Sequence, residues 1–196
     1  ARKLRITPQA IRFANLVPPE AMPYRNLVGK VFDSGDYPES LRRAEKAIDI
    51  AAVRRRQAAG ETVGVGFATF CEQGAHGTSV YHAWGIPFVP GYEQSSVRLT
   101  PDGVLEVRVG VHSHGQGMET TLSQVAHEVL GIHPDKVRVV HGDTALTPYS
   151  TGTWGSRAMV MAGGAVAEAC RQLGERVAAI GAALMQVSTA EVEIAD

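Results

Sequence analysis

The stretch Val104-Leu105-Glu106-Val107-Arg108-Val109-Gly110-Val111-His112-Ser113-His114-Gly115-Gln116-Gly117-Met118-Glu119-Thr120 changes period in its middle. From Val104 to Val111 it has the pattern of a strand. Upstream, Ser96 to Thr100 has the same character, and Pro101-Asp102-Gly103 between them is a turn signal, so the two runs predict an antiparallel hairpin. Downstream, Met118, Leu122, Val125, Ala126 and Val129 recur at helical spacing, and Gly131 and then Pro134 stop the helix. Lys136 to Val140 predicts another strand. Ala165 to Met185 predicts a long helix with Val166, Ala169, Leu173, Val177, Ile180 and Leu184 on one stripe. A hairpin mixed with helices favours an α+β fold over a doubly wound parallel sheet: a mixed sheet with an antiparallel hairpin, packed by helices.

Working outward, Thr7 to Asn15 predicts a short helix, and Pro18, Pro19 and Pro23 hold an irregular segment up to about Gly35. Asp36 has the character of an N-cap, with Glu39 in capping-box spacing and Pro38 in the first turn. Leu41, Ala44, Ile48 and Ala51 then describe a single helical face running to Gly60. Arg54-Arg55-Arg56 suits the negative end of that helix and needs no ligand. Thr62 to Cys71, rich in Val, Phe and Thr, predicts a strand that Gly64 and Gly66 open to close approach, and Ala190 to Ile194 predicts a short terminal one. The expected division is 1–60, helical and irregular, and 61–196, an α+β region.

Composition narrows the function. With 196 residues, 44% apolar and 20% charged, the chain is of ordinary globular type, and a net charge of -1 gives no general drive toward nucleic acid or acidic membranes. Cys71 and Cys170 form no CxxC pair, so neither a disulfide framework, a zinc knuckle nor an iron–sulfur cluster is indicated. No apolar run is long enough to span a bilayer, the N-terminus lacks a secretory pattern, and a cytoplasmic chain is expected. The sequence starts without Met and is expected to be a piece of something larger.

The junction from Gly110 to Thr120 carries the clearest chemical signal. A glycine-bearing passage from strand to helix points free amides outward where the helix dipole favours an anion, although such a passage also serves as a mere tight connection. The third glycine of a dinucleotide fingerprint is missing and no P-loop lysine follows. A nucleophile elbow around Ser113 has Gly115 in place but Gly110 one residue too far upstream. His112 and His114 would share one face of a strand, and His127-Glu128 lacks the second histidine of a zinc-protease helix, Gly131 standing there. Histidines in such places more often serve as hydrogen-bonded scaffold than as ligands. A second glycine-rich segment, His141-Gly142-Asp143-Thr144 and Pro148 to Arg157, would complete an anion pocket if folded near Gly117, and a surface loop otherwise.

Together, Gly115-Gln116-Gly117-Met118-Glu119-Thr120 with Gln124, Leu130-Gly131-Ile132, His141-Gly142-Asp143-Thr144 and Gly152-Thr153-Trp154-Gly155-Ser156-Arg157 resemble, in order and spacing, the large subunits of molybdenum hydroxylases, the family of xanthine dehydrogenase, aldehyde oxidase and carbon monoxide dehydrogenase. Thr7-Pro8, Asn15-Leu16-Val17, Tyr24 and Asp33 to Tyr37 extend the resemblance over nearly the whole chain. It implies part of a larger molybdopterin-binding domain, with molybdenum held by a pterin dithiolene, often extended as a cytosine dinucleotide, and hydroxylation of a carbon centre with water-derived oxygen. By motif match, Gly115, Gln116, Gly117, Met118 and Glu119 would contact the cofactor near the metal and pterin. Thr153, Gly155, Ser156 and Arg157 would hold its phosphate or pterin side. No direct metal ligand and no catalytic residue is assigned in this chain. The resemblance also implies iron–sulfur and FAD partner domains or subunits, the remainder of the same large subunit, and a homo-oligomeric complex.

Three family features find no match: the early glycine-rich cofactor loop, the arginine-bearing substrate loop and the C-terminal glutamate base. The expectation is therefore a cofactor-binding piece, inactive alone. A non-catalytic binding or scaffold domain, and a serine hydrolase using Ser113, are the competing readings.

Overall fold

The computed structural model describes residues 1–194, so Ala195 and Asp196 at the end of the sequence lie outside it. The chain divides into two compact units, one of residues Ala1–Cys71 and one beginning at Glu72. Residues 61–71 thus group with the first unit, beyond the division expected at residue 60.

In the first unit, α1 (Pro8–Phe13) starts where the Thr7 hydroxyl accepts from the Ala10 amide. The proline-rich segment contains a hairpin of two short strands, β1 (Tyr24–Arg25) and β2 (Val31–Phe32). Asp36 caps α2 (Tyr37–Ala47) by accepting from the Glu39 amide at 2.8 Å. The single helix expected onward to Gly60 is in fact two. Asp49 takes a left-handed conformation, φ +43°, and its carboxylate caps a new helix, α3 (Ile50–Ala58), at the Ala52 amide. A residue suited to capping ended one helix and began another, and apolar periodicity alone does not register that break. The arginines behave as a solvated helix end: Arg54 donates to Gln57, and Arg56 to Glu61 at 2.8 Å. Thr62 to Cys71 is not a strand, because among the described residues no edge pairs with it.

The second unit holds the three-stranded sheet. β3 (Ser95–Leu99) and β4 (Leu105–Val109) form the expected hairpin, with Gly103 at φ +77° in its turn. β4 is central and pairs in parallel with β5 (Val137–Val140) on its other side. A parallel neighbour requires a crossover, and α5 (Met118–Leu130) supplies it, ending at Gly131 with φ +76°. A short helix, α4 (Thr78–Ala83), precedes the sheet and has no counterpart in the sequence reading.

One face of β4 makes the core. Leu105, Val107 and Val109 alternate inward, continue into Val111, and pack against Met118, Leu122, Ala126 and Leu130 of α5. Ala162, Val166 and Cys170 close the layer from a π-helical turn, Ala158–Ala162, and from α6 (Gly163–Met185). The stripe expected along α6 is buried at Val166, but Ile180 and Leu184 are exposed, so only the first part of the helix covers the sheet. On the opposite face of β4, Glu106 takes Arg108 and Arg138, each at 2.5 Å, and those hydrogen bonds, Arg138's first, hold its carboxyl below the usual carboxylate range. The terminal strand expected at Ala190 to Ile194 is instead a 3-10 turn, Thr189–Glu191, closed by a Ser188/Glu191 capping box.

The core makes a testable demand. Leu122 is fully buried in the core that α5 shares with β4 and α6, so Leu122→Ala should lower the unfolding free energy in urea by about 2–5 kcal/mol. Leu27→Ala, at a fully exposed position, should change it by less than about 0.5 kcal/mol.

Candidate cofactor site

The two glycine-rich segments meet. The Thr153 hydroxyl accepts from the His112 amide at 2.7 Å and donates to the His112 carbonyl at 2.6 Å, stitching the second segment to the turn after β4. Backbone contact beside it is close: a Cβ on Gly110 would stand 2.4 Å from the Ser150 Cβ and 2.5 Å from the Pro148 carbonyl oxygen. His112 lies past the end of β4, in the turn, so it does not share a strand face with His114 as expected.

The turn itself is open. Gly115 and Gly117 have φ of +88° and +78°, and nothing lies within 4 Å of where a Cβ on either would point. Gly117 is the N-cap of α5 and provides no side-chain acceptor, so the first amides of that helix lack a side-chain cap. Gln116 is exposed, and its Oε1 accepts from the His114 amide at 2.5 Å, leaving its Nε2 without a protein partner among the described residues. Open space, uncapped amides and an amide donor fit a bulky anionic cofactor such as a molybdopterin.

The side chains of three expected contacts are engaged by the protein itself, two of them buried and Glu119 at the surface. The Met118 side chain is 3% exposed and belongs to the core, so only its main chain is left for a ligand. Glu119 has both carboxylate oxygens engaged, by His141 Nε2 at 2.9 Å and by the Ser113 hydroxyl at 3.0 Å. Its own main-chain amide, then His141 and Ser113, hold its carboxyl below the usual range. Arg157 is fully buried, where its guanidinium pairs with Glu93 and donates to the carbonyls of Gly152 at 2.9 Å and Tyr92 at 3.0 Å. Motif matching located these residues along the chain but carries no information on which way a side chain points.

The remaining second-segment residues stay near the surface. Gly155, φ +58°, and Ser156, φ +49°, are exposed. The Ser156 hydroxyl donates to Glu72 at 2.5 Å, and the Gly155 carbonyl accepts from the Ala75 amide. Glu72, Ala75 and Glu93 were absent from the sequence reading, and only the acidic partner demanded by a buried arginine could have signalled Glu93.

The hydrolase reading has no support: the Ser113 hydroxyl donates to the Glu119 carboxylate rather than to an imidazole. Among the described residues no group of three or more His, Cys, Asp or Glu side chains is arranged to hold a metal ion. None of their helices is long and apolar enough to cross a membrane. A cleft of about 350 Å³ in the first unit is lined by Phe32, Tyr37, Leu41, Phe67 and Cys71 among others. There the Tyr37 hydroxyl donates to Cys71 Sγ at 3.3 Å, an interaction that with burial pushes Tyr37 up to about 12. Its apolar walls suit an anion poorly.

Comparison with known proteins places the chain in a family. Residues 43–196 match the family model of the molybdopterin cofactor-binding domain. The chain is 33% identical over 200 residues to the nicotine 6-hydroxylase large subunit of Paenarthrobacter nicotinovorans, covering 100% of this chain and 24% of that protein. It is 32% identical over 201 residues to the carbon monoxide dehydrogenase large chain of Hydrogenophaga pseudoflava, covering 98% and 25%. Among solved structures, quinoline 2-oxidoreductase from Pseudomonas putida 86 matches with a TM-score of 0.67 at 32% identity, over 100% of this chain and 25% of that one. The chain thus spans about a quarter of the length of these relatives. With a family model matched over most of its residues and the glycine turn and Thr153 loop joined in one site, the chain belongs to the molybdopterin cofactor-binding domain family, that of molybdenum hydroxylase large subunits.

Proposed function

We propose that the second unit forms one wall of the cofactor site of a molybdenum hydroxylase, an oxidoreductase that hydroxylates a carbon centre with oxygen derived from water. The observation that carries this is the joining of the open Gly115–Gly117 turn to the Thr153 loop through the His112 backbone. The bound molybdopterin supplies the redox chemistry. This chain's residues bind and orient it: the amides around Gly117 and Met118 as donors to anionic oxygens, the Gln116 Nε2 as a directed donor, and Gly155 and Ser156 along the second edge. Thr153 holds the two edges together rather than contacting the ligand with its hydroxyl, which is engaged on both sides by His112.

The cytosine dinucleotide form of the cofactor, iron–sulfur and FAD partners, a homo-oligomeric complex and a cytoplasmic location extend the same proposal. Apolar side chains left exposed, among them Phe70, Phe88, Leu184 and Met185, suit burial against the remainder of a large subunit. A scaffold role without a cofactor is the competing reading, and the open glycine turn, which a scaffold does not require, weighs against it.

The deciding experiment is metal and nucleotide analysis of the full-length protein after gentle purification. Molybdenum together with cytidine monophosphate released by acid is the expected result, and a protein free of both would leave the scaffold reading. The 196-residue chain by itself should be colourless, metal-free and inactive, because it holds one wall only. Stoichiometric molybdenum in it would show the site to be self-contained. In the full-length protein Gln116→Ala should reduce turnover roughly ten- to hundredfold, as expected for one lost hydrogen bond to a charged group, with the fold intact by circular dichroism. Full activity and full molybdenum content in that variant would remove this turn from the site.

A further inference from the structure

His112 touches each segment that shapes the site. Its main chain is bonded to Thr153, and its Nδ1 lies 3.1 Å from the Nδ1 of His141, just past β5. Gly142 makes room for this contact: a Cβ there would meet the His112 ring at 3.0 Å. On the other side of the His141 ring, Nε2 reaches Glu119 Oε1 at 2.9 Å. Glu119 Oε2 takes the Ser113 hydroxyl at 3.0 Å, and Ser113 Oγ lies 3.5 Å from the Gly115 amide. A chain of polar groups therefore runs from the Thr153 loop through two imidazoles and a carboxylate to the glycine turn.

Proton bookkeeping fixes how this chain behaves. Glu119 can only accept, so His141 Nε2 carries a proton. The Nδ1 to Nδ1 contact then needs one proton, from either ring. A second would set N–H against N–H. The charged and titratable groups in contact with the pair are Glu119 from α5 and, on the His112 side, His114, whose ring lies 6.0 Å from that of His112. Asp143, on the His141 segment, has its carboxylate bonded to the Ala145 amide. Glu119, held below the usual carboxylate range, stays the ionised acceptor for His141 Nε2. The contact is thus intact with one shared proton and is lost as pH falls and both rings become charged.

We infer that His141, acting with His112, is a positioning residue: a proton-sharing imidazole pair that braces the Gly115–Gly117 turn against the Thr153 loop and releases it when both rings are protonated. The inference rests on the cofactor reading of that turn.

The test compares full-length wild type, His141→Gln and His141→Leu between about pH 7.5 and about pH 5, a span that brackets histidine titration. Two quantities are read: the half-life of molybdenum and cytidine monophosphate retention on dialysis, and amide hydrogen exchange of the peptide covering residues 110–120. Wild type should lose retention and exchange protection together, by roughly tenfold, as pH falls. Glutamine donates and accepts but gains no proton, so His141→Gln should match wild type within about twofold at neutral pH and lack the acid loss. His141→Leu should be roughly tenfold faster in both readouts already at neutral pH. An acid loss in His141→Gln equal to that of wild type, or a His141→Leu protein indistinguishable from wild type, overturns the brace. Wild type without molybdenum or nucleotide overturns the cofactor reading instead. Exchange alone then decides: an acid step in wild type that His141→Gln flattens sustains the brace, and no such step overturns it.

Discussion

The buried pair of Arg157 and Glu93 is the interaction on which the second edge of the site depends. Both side chains are essentially inaccessible, at 0% and 1% exposure, so neither charge has water to stabilise it. Removing a guanidinium from water is costly, and the cost is offset here by Glu93 and by the carbonyls of Gly152 and Tyr92. Ser150 donates to Glu93 at 2.8 Å and accepts from the Gly152 amide at 2.9 Å, so the loop is wound around the ion pair. Thr153 follows directly, and its placement against His112 is inherited from that winding. Such a pair need not add much net stability over an apolar filling, but it admits few alternative arrangements of the loop.

The same economy governs which groups face outward. Met118 is committed to the core and Arg157 to a buried ion pair, while Glu119, at the surface, is engaged by His141 and Ser113. What is left open at the turn is mostly main chain, with the exposed Gln116 side chain beside it. A site made of backbone amides at an uncapped helix start is pre-oriented by the fold, and its geometry depends little on rotamers.

Much of this was legible in the sequence, for identifiable reasons. The β3–β4 hairpin was marked by Pro101-Asp102-Gly103, and α5 by its apolar spacing and Gly131, because both signals are local. The parallel pairing of β5 on β4 is a tertiary event, and no residue pattern reported its direction. The break at Asp49 and the missing strand after Thr62 show opposite failures: a cap that overrode a good period, and strand-like composition with no edge to join. The turn and the loop that motif spacing singled out do meet, through Thr153 and His112. The direction of Arg157 depended on Glu93, which lies 64 residues upstream, and the histidine brace on a contact across 29.

Thr153 meets His112 as a neighbouring strand would, taking its N–H and giving to its C=O, yet it does so with one hydroxyl. A ladder would tie the loop to β4 in register over several residues, and any insertion would shift every rung. A single side-chain rung fixes one point, and the stretch around it is held by Glu93 rather than by β4. Register along β4 therefore does not constrain the loop: outside the stretch from Ser150 to Arg157 its length can vary while one threonine keeps the glycine turn against the second edge.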